Sequence, residues 1–374
     1  MCKLRLTTTH TRILSVASAL FLIVSMTYVF SAGKRFQVDY DLERNAGSFR
    51  QPTNYTNSRH AHRSVFFMKT HKTGSSAIQN IFMRYAIRHG LTVATGKGAD
   101  YSRLCIKQLF HRNCVRDIEK LPYDIIAHHL RYNKPEIVAS VKPDAKYISI
   151  VRDPNDIIHS AFTYFQWNKD PNTKSIADFI QQYPKLSFDK GVDIPYKNLM
   201  MYVFGLQVVD FQNEDKVQEK LKEIEDDFDL ILINEYMLPS LILMKELLNW
   251  TYEDVACFHV NKQTSSHNSS RLDLDGIRTL RRENSADQKL YDRFYFIFKR
   301  KVRAYGEEKM MREVEKLQQT IEELQKRCLG GTKTVRWASD VVLKKYELSA
   351  SGKNDALCQN MVRDELSFTK MFMS

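Results

Sequence analysis

The 374-residue chain contains no C-x-x-C pair, no internal repeat, no low-complexity tract and no G-x-x-x-x-G-K-[ST] loop. The first absence removes the usual spacing of thiolate metal sites, and no metal is expected. The missing repeat argues against a solenoid. The missing glycine-rich loop removes the device that wraps a nucleoside triphosphate and its magnesium ion. Long apolar runs are equally scarce: Ile13 to Phe30, ILSVASALFLIVSMTYVF, is the one uncharged stretch of membrane dimension. What is present is a hydrophobic content of 43% with 11% aromatics, enough for a sizeable core, which excludes disorder throughout. A net charge of +12 favours anionic partners in general, without choosing among phosphates, acidic glycans and lipid head groups. No motif of the nucleic-acid-reading kind accompanies it, and a nucleic-acid partner is not expected.

The apolar run follows Lys3, Arg5 and Arg12 and precedes a polar stretch. At about 1.5 Å per residue it just spans a thin bilayer. A cleaved signal peptide is the alternative, but the run exceeds the usual apolar region of roughly 7–15 residues, and Phe30 stands where a small residue would be needed. The positive charges on its amino-terminal side predict a type II signal anchor. The expected organisation is a cytosolic tail over 1–12, an anchor over 13–32, a lumenal stem over 33–63 and one large domain over 64–374. This places Cys105, Cys114, Cys257, Cys328 and Cys358 in an oxidising compartment, an odd number. The sequons at Asn54, Asn249 and Asn268 suit a lumenal chain, although about as many arise by chance.

Short continuous apolar runs recur at 64–68, 123–129, 146–151 and 229–233, and those at 64–68, 146–151 and 229–233 each precede a helix-like segment, over 75–88, 154–167 and 239–250. Buried strands alternating with amphipathic helices predict an α/β fold with a central parallel sheet flanked by helices. From 287 to 328 the spacing predicts a long charged helix, packed on the domain or paired in a coiled-coil homodimer, with regularity lost near Tyr305 and Gly306. A carboxyl-terminal extension follows over 329–374.

Two turns carry chemistry. The first strand breaks into KTHKTGSS, concentrating Lys72, Thr73, Ser75 and Ser76 around Gly74 at the start of a helix. Beyond a parallel strand, such a turn offers backbone N–H groups, the helix dipole, a cation and hydroxyls to an anion. A capped helix start with solvated lysines is the alternative. A single glycine makes a loop short enough for one phosphate or phosphosulfate. The second turn lies in YISIVRDPNDIIHSAF: Arg152 ends a strand, Pro154 opens the next helix, and Ser160 lies two helical turns further on. A structural Arg152–Asp153 ion pair is the plain reading of this motif alone.

In this order the two turns resemble the phosphate-binding segments of sulfotransferases that use 3′-phosphoadenosine 5′-phosphosulfate (PAPS). The resemblance implies a P-loop-NTPase-like sulfotransferase fold, with Lys72, Thr73, Gly74, Ser75 and Ser76 at the 5′-phosphosulfate and Arg152 with Ser160 at the 3′-phosphate. More closely, FMKTHKTGSS, HHLRY, LILINEY with LLNWTYEDV, and KVRAYGEEKMMREVEKL are similar to segments of the galactose-3-O-sulfotransferase family. The likeness runs from about Val65 to about Asp364 and departs after RDP, where His159 and Ala161 replace an expected Glu and Ser. It implies a Golgi membrane enzyme that sulfates a galactose-containing glycolipid or glycan, by analogy at the 3-hydroxyl of β-galactose. Lys72 would face the leaving group, and His129 or His71 would accept the proton of the acceptor hydroxyl. The resemblance also implies family cysteines at Cys328 and Cys358, which are expected to pair, and Cys105 with Cys114 would close a short loop. The rival readings are a lumenal P-loop-like sugar or protein kinase and a catalytically inactive, membrane-tethered interaction protein.

Overall fold

The computed structural model describes residues 60–98, 101–167, 173–186, 195–258, 272–338 and 341–373. The anchor and most of the stem, with Asn54, lie outside these residues, as does Asn268; Asn249 is exposed at a helix end. Among the described residues no helix is long and apolar enough to cross a membrane.

Chain order sets up the site. Strand β1 (Val65–Met68) runs into helix α1 (Ser75–His89), then come the two-residue strands β2 (Arg103–Leu104), β3 (Ile125–Ile126) and β4 (His129–Leu130). After α2 (Lys134–Val138), β5 (Lys146–Val151) leads into α3 (Pro154–Tyr164). Three helices follow, α4 (Ile176–Gln182), α5 (Leu199–Val203) and α6 (Glu214–Asp227); β6 (Leu230–Ile233) then leads to α7 (Met237–Leu248).

The main sheet has the order β3-β1-β5-β6, with every neighbour parallel. Its strands read as unbroken apolar runs because both faces are covered: Val65, Phe66, Phe67 and Met68 are all fully buried. From β1 the sheet grows first to one side, to β3, and then to the other, to β5. That reversal leaves a crevice beyond the carboxyl ends of β1 and β5, where ligands of open α/β sheets bind. Register matches Met68 with Ser149 and Val151 with Ile233, so the turns after β1, β5 and β6 gather at one edge.

The apolar run at 123–129 is divided between two sheets. Ile125–Ile126 joins the main sheet, while His129–Leu130 pairs in parallel with β2, with Arg103 opposite His129. The helical stretch expected over 287–328 is likewise two helices, α10 (Ser285–Tyr305) and α11 (Glu307–Cys328), after the short α8 (Tyr252–Val255) and α9 (Leu274–Glu283). They part at Gly306, whose φ of +95° no helical residue adopts.

The extension beyond Cys328 opens with an antiparallel hairpin, β7 (Leu329–Ala338) and β8 (Val341–Leu348), and continues into α12 (Ala356–Met361) and α13 (Glu365–Met371). Disulfides join Cys328 to Cys358 and Cys105 to Cys114. Cys257 is free and buried, and burial pushes its thiol up to about 11. Beside α3, Ile158 and Phe162 pack with Ile176, Phe179, Ile180, Tyr183 and Leu280 in a second, smaller core.

Candidate active site

The turn after β1 is built from its own hydroxyls. Thr70 Oγ1 donates to Ile150 O (2.5 Å) and lies 2.7 Å from Thr73 Oγ1, while Ser75 Oγ donates to Thr70 O (2.5 Å). Thr73 and Ser75 are buried. Both side chains therefore hold the loop in shape, whereas Ser76 is half-buried and Gly74 exposed. Gly74 is required twice over. Its φ is +78°, and a Cβ there would stand 2.5 Å from Nδ2 of Asn234, the group that donates to Thr73 O (2.9 Å). As N-cap of α1 it has no side chain to cap the helix, so the first N–H groups of a 15-residue helix lack a side-chain acceptor there.

Lys72 adopts φ +60°, uncommon for a residue with a side chain and of the kind that collects at ligand sites. Its ammonium sits over the Tyr164 ring, 3.5 Å from the centroid. Burial, and then the charge of Arg152, push Lys72 down to about 7. Arg152 is close: its Nη1 donates to Lys72 O (3.2 Å), and its Nη2 lies 3.5 Å from Asp156 Oδ2. The acidic partner is thus Asp156, one helical turn on, while Asp153 caps α3 by accepting from Asn155 N (2.8 Å). Arg152 Nε is sealed from solvent and has no hydrogen-bond partner among the described residues. Such a donor costs free energy unless an acceptor arrives. Ser160 is half-buried on α3, two turns beyond.

His71 and His129 stack face to face, with centroids 4.1 Å apart and planes 7° from parallel. His129 Nδ1 lies 3.2 Å from Lys69 O. A carbonyl only accepts, so Nδ1 carries the hydrogen and Nε2 keeps its lone pair. Burial, then His71 and Lys69, hold His129 well below its ordinary value; burial, then Lys69, Arg103 and Lys72, take His71 down to about 3. Both rings are neutral. The neighbouring His128 points the other way, fully buried against Thr369 Oγ1 at 2.8 Å. Arg131 of the same segment is structural, donating to Tyr202 O (3.1 Å) and Leu206 O (3.3 Å).

Several residues here escaped the sequence. Lys69 is fully buried and held by Glu365 and Gln79, so a helix from the far end of the chain braces the loop whose carbonyl orients His129. Asn234 and Glu235 follow β6, and Glu235 Oε1 accepts from Asp153 N (2.8 Å). Their place beyond a parallel strand was the available signal. Arg103 faces His129 across β2 and β4, and its charge reaches both stacked histidines. Among the described residues no three His, Cys, Asp or Glu side chains converge as metal ligands.

A sequence profile of the galactose-3-O-sulfotransferase family matches residues 3–369. Galactosylceramide sulfotransferase of Bos taurus is 31% identical over 332 residues, covering 82% of this chain and 77% of the relative. Galactose-3-O-sulfotransferase 2 of Sus scrofa is 30% identical over 333 residues, 82% of each. Galactose-3-O-sulfotransferase 3 of Mus musculus is 28% identical over 303 residues, 77% of this chain and 68% of the relative. With a family profile matched along nearly its whole length, and with relatives at this level of identity, the chain belongs to the galactose-3-O-sulfotransferase family.

Proposed function

We propose that this chain is a Golgi enzyme, anchored as a type II membrane protein, that transfers a sulfuryl group from PAPS to the 3-hydroxyl of a β-linked galactose on a glycolipid or glycan. The observation that carries the reading is the pair of basic turns at one sheet edge: Arg152 touches the carbonyl of Lys72 and holds a sealed Nε with no hydrogen-bond partner among the described residues. Lys72, the backbone N–H groups at the uncapped start of α1 and the half-buried Ser76 hydroxyl would hold the 5′-phosphosulfate, while Thr73 and Ser75 keep the loop in shape. Arg152 and Ser160 would hold the 3′-phosphate. Bound there, PAPS supplies the sulfuryl group and a phosphate leaving group.

The chain's own residues do the rest. His129 Nε2, free because Nδ1 is committed to Lys69 O, accepts the proton of the acceptor hydroxyl. A neighbouring anion raises the ring's proton affinity, against the burial and then the neighbouring charges that lower it. Lys72 becomes fully ammonium beside the same anion and stabilises charge growing on the departing oxygen. His71 supports the base by stacking on it. Direct in-line transfer is the simplest scheme, since no activated Cys or Ser–His pair is seen among these groups.

Two assays test the reading. The full chain in detergent should be retained on immobilised adenosine 3′,5′-bisphosphate and should transfer label from radiolabelled PAPS to a terminal β-galactoside. Retention without transfer to any galactoside would contradict the acceptor assignment, and failure of both would contradict the enzyme reading.

A further inference from the structure

The cross-strand partner of His129 opens onto a second feature. β2 and β4 pair in parallel with Arg103 opposite His129, so the two side chains leave the same face of this small sheet. Arg103 lines an open cleft of about 520 Å³. Lys97, Arg103, Gln108, His111 and Asn113 in its lining are exposed, so it is a shallow recess that would hold one side of a saccharide. The cleft thus begins one strand away from the ring proposed to take the acceptor's proton.

Its lining is one-sided. Lys97, Arg103 and His111 contribute cationic or N–H donor groups, Gln108 and Asn113 contribute amides, and none of the described lining residues is Asp, Glu, Phe, Tyr or Trp. His111 Nδ1 accepts the N–H of Asn113 (3.2 Å), so Nε2 carries a hydrogen and donates even when the ring is neutral. The Cys105–Cys114 disulfide forms part of the wall and ties together residues nine apart. A wall held this way is formed before a ligand arrives. With no Phe, Tyr or Trp among the described lining residues, a sugar here is recognised chiefly through hydrogen bonds and charge, and donors of this kind match a sulfate or carboxylate.

We propose that this cleft is an acceptor subsite for an anionic saccharide: it holds a sulfate or carboxylate on the sugar adjacent to the galactose presented to His129. The proposal rests on the sulfotransferase reading for the identity of the neighbouring galactose, while the charge preference of the cleft is a property of these residues alone.

The test is isothermal titration of the full chain in detergent with N-acetyllactosamine and with its N-acetylglucosamine-6-sulfated form, with and without adenosine 3′,5′-bisphosphate. The expected result is about tenfold tighter binding of the sulfated disaccharide. In a Lys97→Gln/His111→Gln double variant the two disaccharides should bind alike, with nucleotide affinity unchanged. Both replaced residues are exposed, so folding should be preserved, and nucleotide affinity reports on it. Equal affinities in the unmodified chain, or a preference that survives the double substitution, would overturn the proposal. Because the preference is also read without nucleotide, a failed donor site and a failed cleft give different results.

Discussion

His129 and His71 stack so closely that the choice of base rests on which ring is oriented by a fixed partner. The Lys69 carbonyl orients His129. His129→Ala should therefore lower kcat by about 10²- to 10⁴-fold while nucleotide affinity stays within a few-fold; retained activity would pass the role to His71. Lys72 makes a separate prediction through its value of about 7. An anionic ligand raises it, so below pH 7 the lysine is already charged and binding takes up no proton from it. Above pH 7 the free chain must gain a proton on binding. Affinity for adenosine 3′,5′-bisphosphate should fall as pH rises from 7, by up to about tenfold per unit, with matching proton uptake in buffers of different ionisation enthalpy. Lys72→Met should abolish that uptake. At Gly74, alanine would meet both the positive φ and the Asn234 amide, and Gly74→Ala should cost about 1–3 kcal/mol in denaturant unfolding. The residues that carry these predictions were legible because their types are unusual for their place: cations and hydroxyls directly after an apolar run. The use each hydroxyl is put to was not legible, since Thr73 and Ser75 turn inward to bonds with residue 70 that composition does not encode.

At the scale of elements, β5 fell where its continuous apolar run suggested, and β1 and β6 within a residue of it, because strands buried on both faces leave an unbroken signal. The run at 123–129 misled as to continuity: within it the chain passes from the main sheet to the β2–β4 pair, a step that hydrophobicity does not mark. The hairpin after Cys328 was likewise not read, and the part played by α13 depends on contacts no local pattern reveals. Glu365 lies 296 residues from Lys69, yet it neutralises a lysine with a side chain 1% exposed. Glu365→Ala would leave that ammonium buried and unpaired, and a loss of about 3–5 kcal/mol is expected. Glu365→Gln should preserve more of the fold, because Lys69 retains an oxygen acceptor. Equal stability of Glu365→Ala and the parent chain in urea would show that the C-terminal helix does not brace the loop. The Cys328–Cys358 bridge fixes the same region across 30 residues, and its removal by Cys328→Ser/Cys358→Ser should lower stability by about 3–4 kcal/mol on loop-closure grounds.

For the whole molecule, one sheet edge unites segments far apart in sequence: residues 69–76, 152–160 and 234–235 from three strand ends, His129 from a second small sheet, and Glu365 from the last helix. The central claim is that the first two of these segments grip the two ends of one nucleotide. Titration with adenosine 3′,5′-bisphosphate and with adenosine 5′-monophosphate tests it most directly, using the full chain and its Lys72→Met and Arg152→Ala variants. The unmodified chain should prefer the bisphosphate by at least about tenfold. Arg152→Ala should erase that preference while leaving the monophosphate affinity within a few-fold, and Lys72→Met should weaken both ligands alike. An Arg152→Ala variant that keeps the full preference for the 3′-phosphate would contradict the account.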